Sequence, residues 1–329
     1  MGPDIQIIRD ADTPFGLFYR DPSRAQALVD MCRKFYGGTM LDAGGYMARR
    51  WWERNRHEPY GDEVASVARL LGDDAVYALN LSYEWGCTTA FNKTASSKTQ
   101  GVTMFRAMDW ALDGLGDKLV LARMVGGAGL YWAMTYPGYI GVLQGMAPKR
   151  FSMAINQAPA PDRGLGRVFN LAADKIATYR SRTLPPSFLL RRVFEQCATF
   201  NEAVTMLCRT PISTPAIFSI VGVDARDHCI IERSRTRAVP NYNTMCVGNE
   251  WLFPGWKGVA NQTDSKARVA QMSSGLGTYK GHFDWLNAPV LCDRTRLAFE
   301  ANAKTGQLVV QGFEGGRAVT RPRYIHCML

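Results

Sequence analysis

Cys87, Arg106 and Asp109 are the side chains whose types and spacing could do covalent chemistry. Cys87 to Lys93 and Gly101 to Met108 are β-branched and aromatic runs of strand character. The polar stretch Asn92-Lys93-Thr94-Ala95-Ser96-Ser97-Lys98-Thr99 lies between them. A hairpin centred on that turn pairs residues whose numbers sum to about 193, which puts Cys87 opposite Arg106. A guanidinium beside a thiol lowers its pKa and favours the nucleophilic thiolate. Asp109, near the same strand end, could accept a hydrogen bond from an amine or from Arg106. Strict alternation sends residues three apart to opposite faces, so a bulge or a strand end has to bring Asp109 in. Without such neighbours, a cysteine in a strand reads as a small buried hydrophobe.

Competing chemistries find little support. No G-x-G-x-x-G follows a strand (Gly164-Leu165-Gly166 lacks the third glycine), and neither a P-loop nor a G-x-S-x-G elbow is present. His57-Glu58 opens like a zinc motif, but no histidine follows at the required spacing. The four histidines are scattered, so any catalysis is expected to use a base other than imidazole. The eight cysteines contain no C-x-x-C pair and fit a reducing compartment; no metal and no cofactor is expected.

The elements that must position these residues change character near Trp85. Before it the pattern is helical: Arg24 to Tyr36, stopped by Gly37-Gly38, then Asp62 to Leu71, then Asp74 to Tyr83. After Gly86, strands are expected at 87–93, 101–108, 118–125, 130–135, 139–145 and 150–156, and helices at 168–180, 187–197 and 201–209. Strands at 216–223 and 228–233, helices at 264–272 and 293–303, and strands at 307–310 and 318–323 complete the chain. Strands, then helices, then strands predict an α+β layered sandwich. The net charge of +10 is spread out, with no run dense enough for a nucleic-acid tail. Met124 to Pro148 carries no charge, yet its six glycines and Pro137 favour buried strands over a bilayer helix. The first residues show no secretory signal pattern, so a cytoplasmic location is expected.

Four longer blocks stand in order along the chain. They are Asn80-Leu81-Ser82-Tyr83-Glu84-Trp85-Gly86-Cys87-Thr88-Thr89, Met104-Phe105-Arg106-Ala107-Met108-Asp109-Trp110, and Pro137-Gly138-Tyr139-Ile140-Gly141-Val142-Leu143-Gln144-Gly145-Met146-Ala147-Pro148. Val259-Ala260-Asn261-Gln262-Thr263-Asp264 follows, with Arg268 beyond it. In this order they resemble the acid ceramidase and N-acylethanolamine acid amidase group of N-terminal nucleophile hydrolases, relatives of the choloylglycine hydrolase and penicillin V acylase family. The resemblance implies a four-layer αββα sandwich, with residues 1–86 as a helical N-terminal segment (the small subunit) and residues 87–329 as the core. It implies self-cleavage between Gly86 and Cys87, after which the freed α-amine, with an ordinary pKa near 8, accepts the thiol proton. It further implies that Arg106 supports the thiolate and the substrate carbonyl, and that Asp109 hydrogen-bonds the new amine. Asn261 would supply the oxyanion-hole amide, Asn156 a further oxyanion donor, and Arg268 would order the site.

Simpler roles stay open: an Arg106–Asp109 ion pair, Asn261 or Asp264 capping the following helix, and Arg268 solvated on that helix. The leader of 86 residues favours the ceramidase-like branch, although Gly86 stands where relatives often carry a bulkier residue. Trp110, Trp132 and Tyr139 suit an acyl-chain pocket. The function expected is a self-processing cysteine amidase acting on a linear amide of an N-acyl amide through an acyl-thioester on Cys87. The alternatives are an acyltransferase and an inactive lipid or anion binder. Expected partners are a small-molecule substrate and at most further copies in a homo-oligomer, with no nucleic acid and no stable membrane insertion.

Overall fold

The computed structural model describes residues 2–11, 16, 18, 21–81, 85–93, 100–259 and 264–327. Eight strands form the first sheet, in the order β1 (Gln6–Ala11), β4 (Val120–Gly126), β5 (Gly129–Thr135), β6 (Gln144–Ala147), β7 (Phe151–Gln157), β9 (Ala216–Val221), β10 (His228–Arg233) and β11 (Ala238–Asn241). The second sheet runs β12 (Cys246–Val247), β2 (Gly86–Asn92), β3 (Thr103–Asp109), β14 (Thr295–Asn302), β15 (Gln307–Glu314) and β16 (Arg317–Ala318), and β17 (Arg323–His326) also pairs with β15. A two-stranded ladder joins β8 (Ala160–Pro161) to β13 (Gly258–Val259).

The two large sheets face each other, with β2, β3 and β14 lying over β6 and β7. Helices α1 (Pro22–Tyr36), α2 (Gly38–Asn55), α3 (Tyr60–Leu71) and α4 (Ala75–Leu79) precede the nucleophile strand. Helices α5 (Arg167–Arg180), α6 (Pro186–Gln196) and α7 (Phe200–Arg209) follow β8, and α8 (Ser265–Ser274) follows β13. α6 and α7 cover the first sheet, and α8 packs on β2 and β12 of the second. The architecture is the expected αββα sandwich. Among the described residues, no helix is long and apolar enough to cross a membrane, and the uncharged stretch from Met124 folds into strands.

The segment ahead of Gly86 is not wholly helical, because β1 pairs parallel with β4 at the sheet edge. Its helices share the main core: Leu28, Val29, Trp51, Trp52 and Val64 belong to the same cluster as Cys87 and Phe188. Arg191 on α6 ties the two parts together, donating to both oxygens of Glu63 (2.7 and 2.8 Å) and to Glu195 (2.7 Å) beneath the Tyr60 ring.

Several elements differ from those the sequence predicts. Residues 293–303 do not form a helix; β14 occupies that stretch as an interior strand between β3 and β15. All eight of its residues are buried because both faces are covered. No polar alternation therefore marks the strand, and Leu, Ala and Glu read locally as helix formers. Helix α2 was not expected after the double glycine. Gly45 belongs to it because a Cβ there would lie 2.7 Å from the Asp74 carbonyl oxygen, so this position permits the close approach of α4. The strand expected at 139–145 instead begins at Gln144 and runs to Ala147 as β6.

Candidate active site

Cys87 is the second residue of β2. The hairpin register is Gly86 to Asp109, Cys87 to Met108 and Thr89 to Arg106. This corrects the predicted pairing of Cys87 with Arg106 by two residues, and the polar turn at 94–99 on which that prediction was centred lies outside the described residues. A slip of two keeps every side chain on its face, so Arg106 still shares a face with Cys87 and reaches it diagonally. Its Nη2 donates to Cys87 Sγ at 3.0 Å, and both residues are fully buried.

Asn156, at the end of β7 on the opposing sheet, fixes the other arm of the guanidinium. Its Oδ1 accepts from Arg106 Nη1 (2.9 Å) and Thr89 Oγ1 (2.8 Å), while its Nδ2 donates to the carbonyls of Val247 (3.2 Å) and Gly248 (2.9 Å). Both kinds of polar atom in the Asn156 carboxamide are engaged, so in this geometry it buttresses Arg106 and directs no donor at the sulfur.

The nitrogen of Cys87 is held by a residue the sequence reading did not single out. Asn249 Oδ1 accepts from Cys87 N (2.8 Å) and from Arg268 Nη2 (3.0 Å), and Asn249 Nδ2 donates to the carbonyls of Trp85 (3.3 Å) and Gln157 (2.9 Å). Asn249 arrives there because β12 pairs with Thr89 and Ala90 on the free edge of β2. The chain then turns at Gly248, where a Cβ would sit 2.3 Å from Ser265 Oγ. Ser265 Oγ also accepts from Asn249 N (2.8 Å). Locally, Gly248-Asn249 reads as an ordinary turn; only the long-range pairing of β12 brings it beside Cys87. Asn261, the expected amide donor, lies outside the described residues.

Asp109 lies in the layer between the second sheet and α8. Its Oδ1 accepts from Thr295 Oγ1 (2.9 Å), and its Oδ2 faces Arg268 Nη1 at 3.3 Å. Arg268 is 0% exposed, so it is not a solvated helix residue. It also donates to Thr88 Oγ1 (3.0 Å) and to the Asp264 carboxylate. Arg106 and Asp109 are thus not each other's hydrogen-bonding partners: one serves the sulfur side of β2, the other the Arg268 side. The histidines sit elsewhere, His57 against Trp51 and His228 against Phe91. Among the described residues, no three His, Cys, Asp or Glu side chains converge as a metal would require.

Burial dominates the electrostatics. It pushes the Cys87 thiol above its ordinary range, outweighing the guanidinium of Arg106, which pulls the other way. The predicted lowering of that thiol's pKa is therefore reversed in the intact chain. Burial also raises Asp109 to about 6, against the lowering by Arg268 and Thr295. A carboxyl raised from 3.8 keeps its proton in the folded protein across a window where the unfolded chain has lost it. Its contribution to stability is complete below the unfolded value and is lost as pH rises through about 6. Asp109→Asn should therefore gain on the wild type between acid and neutral pH by roughly 1–3 kcal/mol in urea denaturation. A stability difference between the two proteins that does not change with pH would contradict this.

Trp85, immediately before Gly86, is 1% exposed and meets Trp110 and Tyr139 edge-on, with ring centroids 5.7 and 6.3 Å away. Trp110 and Tyr139 line a narrow apolar cleft of about 50 Å³ with Leu28, Val29 and Leu115. Trp132 does not line this cleft; its indole N–H donates to Cys327 Sγ (3.2 Å) near the β17 edge of the second sheet. In chemical terms, the arrangement holds a thiol against a fixed cation and places a carboxamide and a second cation against the thiol's own backbone nitrogen.

No family model matches the chain. Among curated proteins it is 25% identical over 208 residues to the N-acylethanolamine-hydrolyzing acid amidase of Caenorhabditis elegans, covering 60% of this chain and 55% of that protein. It is 30% identical over 134 residues to the acid ceramidase of Bos taurus, covering 39% of this chain and 32% of that protein. The chain therefore spans only a third to just over half the length of these relatives. Among solved structures, the Caenorhabditis elegans N-acylethanolamine-hydrolyzing acid amidase ortholog matches with a TM-score of 0.52 at 19% identity, covering 66% of this chain and 93% of that one. In sequence the chain is acid ceramidase-like and N-acylethanolamine acid amidase-like, and its fold is that of the N-terminal nucleophile hydrolases.

Proposed function

We propose that this chain is a self-processing amidase whose nucleophile is Cys87, acting on the linear amide bond of an N-acyl amide. The observation that carries the reading is the buried Cys87 sulfur 3.0 Å from the Arg106 guanidinium, with its backbone nitrogen held by Asn249. The similarity to amidases and ceramidases supports the class of bond. In the first step, Cys87 Sγ attacks the Gly86 carbonyl and the peptide nitrogen leaves as the α-amine of Cys87. Water then hydrolyses the thioester, leaving a Gly86 carboxylate. Residues 1–86 stay associated as a small subunit through β1 and the Arg191–Glu63 pairing.

In turnover the freed amine takes the thiol proton, and the thiolate beside Arg106 attacks the substrate carbonyl. The amine component departs and water releases the acid. Arg268 and Asp109 act on the amine side by holding the Asn249 carboxamide and a carboxylate near it. Trp110 and Tyr139 contact the acyl chain, and the cleft they line beside Trp85, at about 50 Å³, widens to admit it. That cleft adjoins the residue on the acyl side of the Gly86–Cys87 bond, so the self-cleavage reaction and the substrate reaction present their acyl parts from one direction.

Intact-mass measurement of the purified protein should find two chains meeting at Gly86 and Cys87. The split protein should then release free acid from one or more of N-acylethanolamines, ceramides, conjugated bile salts, N-acyl homoserine lactones and penicillin V. An unsplit chain that hydrolyses such amides would overturn the N-terminal nucleophile, and a split chain inert to all of them would overturn the substrate class.

A further inference from the structure

The second sheet has two faces, and the chemistry at Cys87 uses the inner one. Cys87 and Thr89 point from β2 towards the first sheet, so Asn92, five residues beyond Cys87, falls on the outer face. There α8 covers β2 and β12, and Trp285, Leu286 and Val290 pack over Phe105 and Ala298. Beyond them lies a cavity of about 530 Å³, walled by Asn92, the segment 278–282 and outward residues of β14, β15 and β17. Ordinary ligand pockets measure about 300–1,000 Å³. One wall is held in a costly backbone. Gly281, His282 and Phe283 all have positive φ (93°, 60° and 63°), a region that disfavours any residue with a Cβ. Glu300, buried on β14, imposes it: its carboxylate accepts from His282 N (3.0 Å), Phe283 N (2.6 Å) and Trp285 Nε1 (2.7 Å). The His282 imidazole is thereby set at the cavity, its Nδ1 3.3 Å from Tyr324 Oη on β17. Glycine would adopt this backbone without strain, so the strain is borne for a side chain that the cavity wall carries.

The groups open to a ligand indicate its class. Tyr324 is 52% exposed, and Lys280, Gln307 and His326 are exposed with no side-chain hydrogen bond or ion pair among the described residues. One ammonium, on Lys280, and one carboxylate, on Glu300, are the fixed charges of the lining, so the cavity selects neither an anion nor a cation. What it offers instead is aromatic rings beside an amide and imidazoles that can donate and accept. A pyranose matches both features, with an apolar C–H face for a ring and hydroxyls that donate and accept. We infer that this cavity is a binding site for a neutral saccharide, with the Tyr324 and His282 rings against the sugar face and Gln307, His326 and Lys280 on its hydroxyls. The site lies across the second sheet from Cys87 and does not depend on the amidase reading.

The test titrates the full chain with glucose, galactose, N-acetylglucosamine, lactose and maltose, and with inorganic phosphate and citrate, followed by ligand-observed NMR. The wild type should bind at least one of the sugars with a Kd of about 1 mM or tighter, and neither anion. Tyr324→Ala, at an exposed position on a short strand, and His282→Gly should each weaken that binding by roughly tenfold or more. His282→Gly should melt at the same temperature as wild type or higher, because glycine relieves the positive φ, so its loss of binding reports the imidazole and not the fold. Failure of every sugar to bind, binding of phosphate or citrate in their place, or sugar binding that neither variant weakens would overturn the assignment. The outcome is the same to read whether or not the protein splits at Gly86 and Cys87.

Discussion

Cys87→Ala is expected to leave one unsplit chain and to lower amide hydrolysis by about 10⁴-fold or more, the scale seen when a covalent nucleophile is deleted. Both effects have one cause. The sulfur is the atom that would attack the Gly86 carbonyl, and until that peptide breaks the Cys87 nitrogen is an amide, engaged with Asn249, which cannot accept a proton. Burial meanwhile keeps the thiol protonated in the intact chain. The variant should still fold, because alanine removes one buried atom from a strand that is paired on both sides. It also leaves Arg106 Nη2 without its sulfur acceptor, at a cost of about 1–3 kcal/mol. Cys87→Ser restores an acceptor there and should recover most of that stability while splitting far more slowly, since a serine hydroxyl is a weak nucleophile without a strong base. A Cys87→Ala protein that still splits, or that keeps wild-type hydrolysis, would remove this residue from the chemistry.

The residues closest to the sulfur were legible in the sequence because the nucleophile strand and its partner are neighbours along the chain. A hairpin argument brought Arg106 to Cys87 even with the register wrong by two, since an even slip preserves the face. Helices α1 and α3 were legible for a similar reason: their buried stripes and the Gly37 and Gly72 stops are all local signals. What escaped was set by distant contacts. β14 has no solvent face to betray it, and β1 is short and paired across more than a hundred residues. Asn249 reaches Cys87 only through the two-residue strand β12, a pairing too short to leave a sequence pattern. Asn156 was placed near the site by sequence, but its carboxamide is turned to hold Arg106, a matter of side-chain orientation that no spacing argument reaches.

Asn249 therefore carries the second large prediction. One hydrogen of its Nδ2 points at the Trp85 carbonyl, one residue before the bond proposed to break, while its Oδ1 stays with Cys87 N and Arg268. Once that bond breaks, a substrate carbonyl oxygen that takes the place of the Trp85 carbonyl meets a pre-oriented donor beside the new amine, where its negative charge develops. Removing one such donor costs about 10²–10³ in kcat, or roughly 2.7–4 kcal/mol. Asn249→Ala should show that loss in kcat with KM little changed. Asn249→Asp separates the two roles of the side chain, because a carboxylate still accepts from Arg268 but offers no donor. Its kcat should fall at least as far as in the alanine variant while its stability stays nearer wild type. Wild-type turnover in Asn249→Asp would exclude the donor role. Asn261→Ala, assayed alongside, decides between the residue the sequence resemblance indicated and the one that touches Cys87: the loss should follow Asn249.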